Sequence, residues 1–311
     1  MQAIITLTLN PALDLSTSTA TILPSEKLRC AAPRHDPGGG GINVARAIHA
    51  LGGQALAVFP AGGPTGALLE TLLAAEGVSS KVIPIAGLTR ENLAVDEVST
   101  GRQFRFVMPG PCLSEAERVS CLDTLERMRP KPDYVVVSGS LPPDCPADFY
   151  GQIAQWATRH DLKLILDTSG PALNIVRQAG VFLLKPSWLE LEQLVGRKLS
   201  DIAAIATAAA ELVARRYAQI VVASVGPDGA VVASPAGTEH FAAPQIEVKS
   251  TVGAGDSMVA GIVFGLSQGR SLAQAARLGI AAGAAALMRP GTELCRREDV
   301  VRFLMPQGLT L

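Results

Sequence analysis

The residues most suggestive of chemistry lie in STVGAGDSMVAG, positions 250–261. Gly253 and Gly255 permit a tight turn and close approach of bare backbone. Met258, Val259, Ile262, Val263 and Leu266 follow as one apolar face of a helix. The amides of residues 253–256 would then project from the helix start without intrahelical acceptors, a place that binds negative charge. Asp256 sets a carboxylate in the same turn. A lone first-turn acid is ordinarily a response to the helix dipole, worth well under ~1 kcal/mol. The glycines before it and the apolar helix behind it favour a reacting group that shares its turn with an anion hole.

A second glycine cluster, PGGGGINVA (37–45), also precedes a helical stripe. It fails the dinucleotide fingerprint, because the third glycine of G-x-G-x-x-G would fall on Asn43 or Val44. It is no P-loop, since the chain has no Gly-Lys pair. Four consecutive glycines carry a large ordering entropy, which favours a ligand contact over a plain turn. Asn43 offers both a donor and an acceptor there. KPSWLE (185–190) and SVGPDG (224–229) each follow an apolar strand, which places Lys185 and Glu190 at the strand edge where open α/β sheets bind ligands. GLSQG (265–269) matches G-x-S-x-G, but Ser267 ends a helix rather than standing on a strand-to-helix elbow. The histidines at 35, 49, 160 and 240 show no metal spacing.

The elements that must position these residues alternate along the chain. Strands are expected at 3–9, 55–59, 134–138, 163–167, 181–184 and 219–224. Helical stretches are expected at about 66–76, 114–128, 147–159, 188–195 and 202–216. That rhythm implies an α/β fold, with a mostly parallel sheet covered on both faces. Residues 89–108 break it and read as a hairpin turning near Thr100-Gly101; with residues 10–36 they imply a small β layer beside the main sheet.

The 311 residues are 48% hydrophobic and 18% charged, with 27 Lys plus Arg against 28 Asp plus Glu and a formal net charge of −1. No global basic field draws in nucleic acid or anionic lipid, so any anion site must be local. No basic residue precedes Lys27, and the longest apolar run, Leu278 to Met288, is too short to span a membrane. The five cysteines are odd in number and form no C-x-x-C; they read as small hydrophobes in a reduced, cytoplasmic protein.

Taken together, the motifs resemble those of the ribokinase-like sugar kinases, the phosphofructokinase B family. STVGAGDSMVAG is similar to its C-terminal signature and PGGGGINVARAIHALGG to its N-terminal one. SGSLPP (138–143), KPSWLE and SVGPDG fall in the family's order, and the likeness spans essentially the whole chain. KLRCAAP, FPAGGPTG, RQFRFVMPG and the four-glycine run resemble the minor-type 6-phosphofructokinases in particular, whereas 1-phosphofructokinases and tagatose-6-phosphate kinases usually carry lysine where Gly40 stands.

The resemblance implies a ribokinase-like three-layer αβα domain over 1–311, with lid segments at about 10–36 and 87–109. It implies ATP-dependent phosphorylation of fructose 6-phosphate at its 1-hydroxyl. Asp256 would be the base and Gly253, Ala254 and Gly255 its anion hole; Asp14, Gly39 and Asn43 would hold sugar hydroxyls. Lys27, Arg90 and Arg105 would hold the existing phosphate. Lys185, Ser187, Glu190, Ser224, Gly226 and Gly229 would line the nucleotide and magnesium side, and Ser250, Val252, Ala286 and Gly291 would hold K+. Asp256, at its ordinary pKa of about 4, would be a weak base, sufficient for a loose phosphoryl transfer. Two copies would pair through their lids, in the cytoplasm. Departures are Ser187, where the family has asparagine, and Arg289 and Glu293 in the cation loop. The alternatives are a tagatose-6-phosphate or fructose-1-phosphate kinase, a silent sugar-phosphate sensor, and a dinucleotide oxidoreductase, the last opposed by the failed fingerprint.

Overall fold

In Tyr134–Ser138 every residue is buried; Val135 and Val137 join one apolar layer, Tyr134 and Val136 the opposite one. A strand covered on both faces must read this way. The computed structural model describes residues 3–311 and places this strand in the interior of a nine-stranded sheet. In chain order the strands are β1 (Ile4–Leu7), β2 (Ala12–Thr19), β3 (Arg34–Gly38), β4 (Leu56–Ala61), β5 (Ser80–Pro84), β6 (Arg90–Glu97), β7 (Arg102–Phe106), β8 (Tyr134–Ser138), β9 (Lys163–Asp167), β10 (Val181–Leu184), β11 (Ala218–Ser224), β12 (Ala230–Ser234) and β13 (Gly237–Phe241). Across the large sheet they run β13-β12-β11-β10-β9-β8-β1-β4-β5. From β11 to β5 all pairings are parallel, and β12 and β13 add an antiparallel hairpin at one edge.

The helices are α1 (Gly40–Ala50), α2 (Gly63–Ala75), α3 (Glu115–Glu126), α4 (Phe149–Arg159), α5 (Val176–Ala179), α6 (Trp188–Val195), α7 (Ile202–Ala214), α8 (Ala254–Ser267), α9 (Leu272–Leu287) and α10 (Arg297–Leu304). Residues of α3, α4, α6 and α7 fill the core on one face of the sheet, and those of α1, α8, α9 and α10 the core on the other. No helix among the described residues is long and apolar enough to cross a membrane.

A separate four-stranded sheet, β3-β2-β6-β7, forms the lid. The β layer expected from 10–36 and 89–108 is thus present, with β6 and β7 as its hairpin. Strands β2 and β3 are hidden in sequence because ALDLSTST offers only one apolar–polar–apolar step, Leu13-Asp14-Leu15, before a polar run, and RHDPG offers none. The apolar run at 278–288 belongs to α9 and its cap, an element the strand–helix rhythm leaves unassigned. Gly279 lets α9 press on α8, since a Cβ there would lie 2.7 Å from the Met258 carbonyl oxygen. That contact holds α8, and the turn at its start, against α9.

Candidate active site

Gly253 caps α8 with φ 72° and ψ 0°, a left-handed conformation that glycine adopts without strain. Ser257 N–H is the first to reach back, donating to the Gly253 carbonyl at 2.8 Å. The amides of Ala254, Gly255 and Asp256 are therefore the ones without an intrahelical acceptor; the Gly253 amide precedes the helix. Asp256 Oδ2 accepts from Asn43 Nδ2 at 2.9 Å, and Oδ1 faces the Ser138 hydroxyl at 3.5 Å. Burial, and next the negative charge of Asp167, push the Asp256 carboxyl up to about 7, against the opposing pull of Asn43, Lys185 and Ser138. This corrects the expectation of an ordinary carboxylate: the group is tuned near neutral pH, where a general base works well.

The glycine run brings Asn43 and Ser138 to that carboxylate. Its N-cap, Gly39, has no side chain to cap α1, and Thr8 Oγ1 at the end of β1 accepts the Ile42 N–H instead, at 2.8 Å. A Cβ on Gly40 would lie 2.3 Å from Ser138 Oγ and 2.8 Å from the Gly139 nitrogen; one on Gly41 would lie 2.8 Å from the Leu7 carbonyl oxygen. Only bare backbone lets α1 start this close to the ends of β1 and β8.

On the lid side, Asp14 of β2 sits opposite Asn92 of β6 in parallel register, and Asn92 Nδ2 donates to its Oδ1 at 2.8 Å. Burial raises the Asp14 pKa, while Asn92, Arg90, Arg105 and Arg46 counter it. A pocket between lid and body is lined by Asp14, Asn92, Arg105, Val252 and Thr292. Arg90 and Arg105, equivalent in sequence, differ here. Arg90 donates to the carbonyls of Asn10 (2.9 Å), Met108 (2.9 Å) and Pro11 (3.4 Å). Arg105 is exposed on β7 and forms no ion pair among the described residues. Lys27 lies in the exposed stretch 23–34 and does not line that pocket.

On the other side, Lys185 follows β10 and pairs at 3.1 Å with Asp167, the last residue of β9. Burial opposes the ammonium, but Asp167, Glu190 and Asp256 hold Lys185 above the usual lysine range. Burial also dominates at Asp167 and raises it despite Lys185. Ser187 is the N-cap of α6. It accepts from Glu190 N–H at 3.4 Å, and its own N–H donates to Glu190 Oε2 at 2.8 Å, a capping box. The Ser224 amide donates to the Pro186 carbonyl at 2.9 Å, joining this loop to 224–229, where Gly226 and Gly229 both take positive φ. In the loop at 286–293, the Gly291 carbonyl accepts from Ser250 Oγ at 2.7 Å, Val252 N–H donates to the same hydroxyl at 3.2 Å, and the Ala286 carbonyl accepts from Arg289 N–H. That loop is tied to lid strand β3 by Arg34–Glu293 (3.0 Å) and Thr292–Asp36 (2.7 Å).

The sequence motifs assign no role to Asp167, Ser138 (beyond its place in SGSLPP), Asn92 or Arg46. The first two end KLILD and YVVVS, polar residues at the C-terminal tips of buried parallel strands, and that position was the available signal. The capping box was legible as S-W-L-E before an apolar stretch. Asn92 and Arg46 carried no signal, since their partners come from distant segments.

A model of the pfkB family carbohydrate kinases matches residues 7–299. The ATP-dependent 6-phosphofructokinase isozyme 2 of Mycobacterium tuberculosis H37Rv is 52% identical over 300 residues, spanning 96% of this chain and 88% of the relative. Isozyme 2 of Escherichia coli K12 is 43% identical, spanning 97% and 98%. The crystal structure of phosphofructokinase-2 from E. coli in complex with fructose-6-phosphate superposes with a TM-score of 0.93 at 40% identity, covering 99% of this chain and 100% of that one. The same enzyme in complex with potassium gives 0.95 at 41%, with the same coverage.

Proposed function

The chain belongs to the pfkB family of carbohydrate kinases, and on that premise we propose that it transfers the γ-phosphoryl group of ATP to the 1-hydroxyl of fructose 6-phosphate, giving fructose 1,6-bisphosphate. The pocket between lid and body carries this reading. Arg105 and Asp14 line it from the lid, and Val252, directly before the Gly253 turn, lines it from the body. A guanidinium lining this pocket, with the turn that carries the base and the anion hole directly following Val252 in the chain, suits an acceptor that already bears a phosphate. Gly40, closed against Ser138 and Gly139, leaves no room for the lysine usual in the 1-phosphate kinases.

In this reading Asp256 takes the acceptor hydroxyl's proton, and the amides of residues 254–256 stabilise the phosphoryl oxygens. Asp14, Gly39 and Asn43 hold the sugar. Lys185, Ser224, Gly226 and Gly229 line the nucleotide side. Mg2+ arriving with ATP would be held near Glu190 and Asp167, carboxylates that suit a hard cation, and would neutralise phosphate charge. The carbonyls of Ser250, Val252, Ala286 and Gly291 are the oxygen donors that suit K+, which would add positive charge beside the anion hole. Leu23, Leu28, Val98 and Phe106 are exposed on the lid segments, and a second copy of the chain would cover them, lid to lid, in the cytoplasm.

A panel of sugars and sugar phosphates with Mg-ATP, followed by ADP release, tests the function. Fructose 6-phosphate should be turned over far faster than fructose; equal use of fructose would overturn the reading. Ser187 gives a second test. Asparagine is as good an N-cap as serine and reaches further, so Ser187→Asn should keep or raise kcat and lower the magnesium requirement. Ser187→Ala should lose about 1 kcal/mol of stability with the cap. Magnesium titrations of the initial rate and thermal melts read both. A large loss of activity in Ser187→Asn would mean that the site is built around serine.

A further inference from the structure

Asn43 reaches Asp256 only if its amide is turned one way. Its Nδ2 must face the carboxylate, at 2.9 Å, so its oxygen must face elsewhere. What receives that oxygen is Arg46, one helical turn along α1, whose Nη1 lies 3.4 Å from Asn43 Oδ1 and donates to the Pro37 carbonyl at 2.8 Å. Arg46 is itself held. Its Nε and Nη2 form a fork on both Glu76 oxygens at 2.6 and 2.7 Å, and only 9% of its surface is exposed. Such a two-pronged pair fixes the plane of the guanidinium.

We propose that Arg46, clamped by Glu76, is a positioning residue: it sets the orientation of the Asn43 amide and, through it, of the Asp256 carboxylate. This rests on Asp256 being the base. Arg46 acts through the amide rather than by its charge. The charged groups facing Asp256 are Asp167 on β9 and Lys185 after β10, with Glu190 on α6 beside Lys185. Loosening the clamp frees the amide to rotate, so the carboxylate loses its donor and its fixed direction.

The test uses the full-length enzyme with Glu76→Gln and Arg46→Lys, each alone and combined with Asn43→Ala. Steady-state kinetics are taken across the neutral pH range, beside thermal melts. Glu76 is partly exposed at the end of α2, so Glu76→Gln keeps the test open if Arg46→Lys fails to fold. The single variants should lose about tenfold in kcat, since small displacements of a reacting group have large effects, with KM for ATP little changed. The acid limb of kcat should move to higher pH, because the Asn43 donor favours the ionised carboxylate. In the Asn43→Ala background Glu76→Gln should add nothing further. Lower melting temperatures with normal kcat and an unmoved acid limb would overturn the proposal and leave Arg46 a plain structural tie. Asp256→Asn measured alongside separates the two ideas. Near-normal activity there would remove the base assignment and the positioning role together, whereas a crippled Asp256→Asn beside a normal Glu76→Gln would remove the positioning role alone.

Discussion

Replacing Asp256 with asparagine is expected to lower kcat by roughly 10²–10⁴ and to leave KM for both substrates near that of the parent. Asparagine retains the size and an oxygen for the Asn43 amide but cannot accept a proton. The carboxyl is raised to about 7 by burial and by Asp167, so the parent's kcat/KM should fall on an acid limb near neutral pH, and the variant should lack that limb. Stability should move the other way. The folded state holds this proton more tightly than an unfolded chain, in which the group titrates near its reference value of about 4. Folding stability therefore declines as pH rises from there through the folded value, and the contribution from the protonated form is gone above it. Asparagine removes that slope, so the variant should melt at or above the parent temperature at neutral pH, a trade of stability for activity of the kind active sites show. Kinetics, a pH profile and thermal melts decide it. A kcat within a few-fold of the parent would reduce Asp256 to a first-turn acid.

The parts of this molecule that were legible in the sequence are those written in local pattern. YVVVS, KLILD and QIVVAS announce buried parallel strands because each packs apolar residues onto two faces. GAGDS announces a turn and a helix because glycine precedes an apolar stripe. Half of the lid was legible, as a hairpin over 89–108; β2 and β3 were not, because they are paired by register, Asp14 opposite both Asn92 and Asp36, and their mostly polar residues leave little periodic trace. The electrostatics were not legible at all. The ordinary pKa expected of Asp256 failed first because folding buries the carboxyl, and second because Asp167, 89 positions away in sequence, comes near enough to oppose its charge. Ser187, a departure from the family on the metal side, is also a helix cap; its capping partner Glu190 is visible three residues on.

Arg105→Ala is expected to raise KM for fructose 6-phosphate by about 10- to 100-fold, the equivalent of losing about 1.5–3 kcal/mol of charged hydrogen bonding to a phosphate, with KM for ATP and the melting temperature unchanged. Arg90→Ala is expected to behave differently, although the sequence gives no reason to separate the two. Arg105 is exposed on β7, lines the pocket shared with Asp14 and Val252, and has no ion pair among the described residues to lose. Arg90 is already occupied. Its guanidinium holds the carbonyls of Asn10 and Pro11 ahead of β2 and of Met108 after β7, so it fastens both ends of the lid. Its removal leaves partly buried carbonyls without donors, which is destabilising by about 1–3 kcal/mol. KM should then rise for the sugar phosphate together with a lower melting temperature. Parallel kinetics and melts of the two variants distinguish a ligand contact from a hinge pin. Equal effects in both, on KM and on melting, would mean that Arg105 too serves the lid and that the acceptor's phosphate is held by other residues.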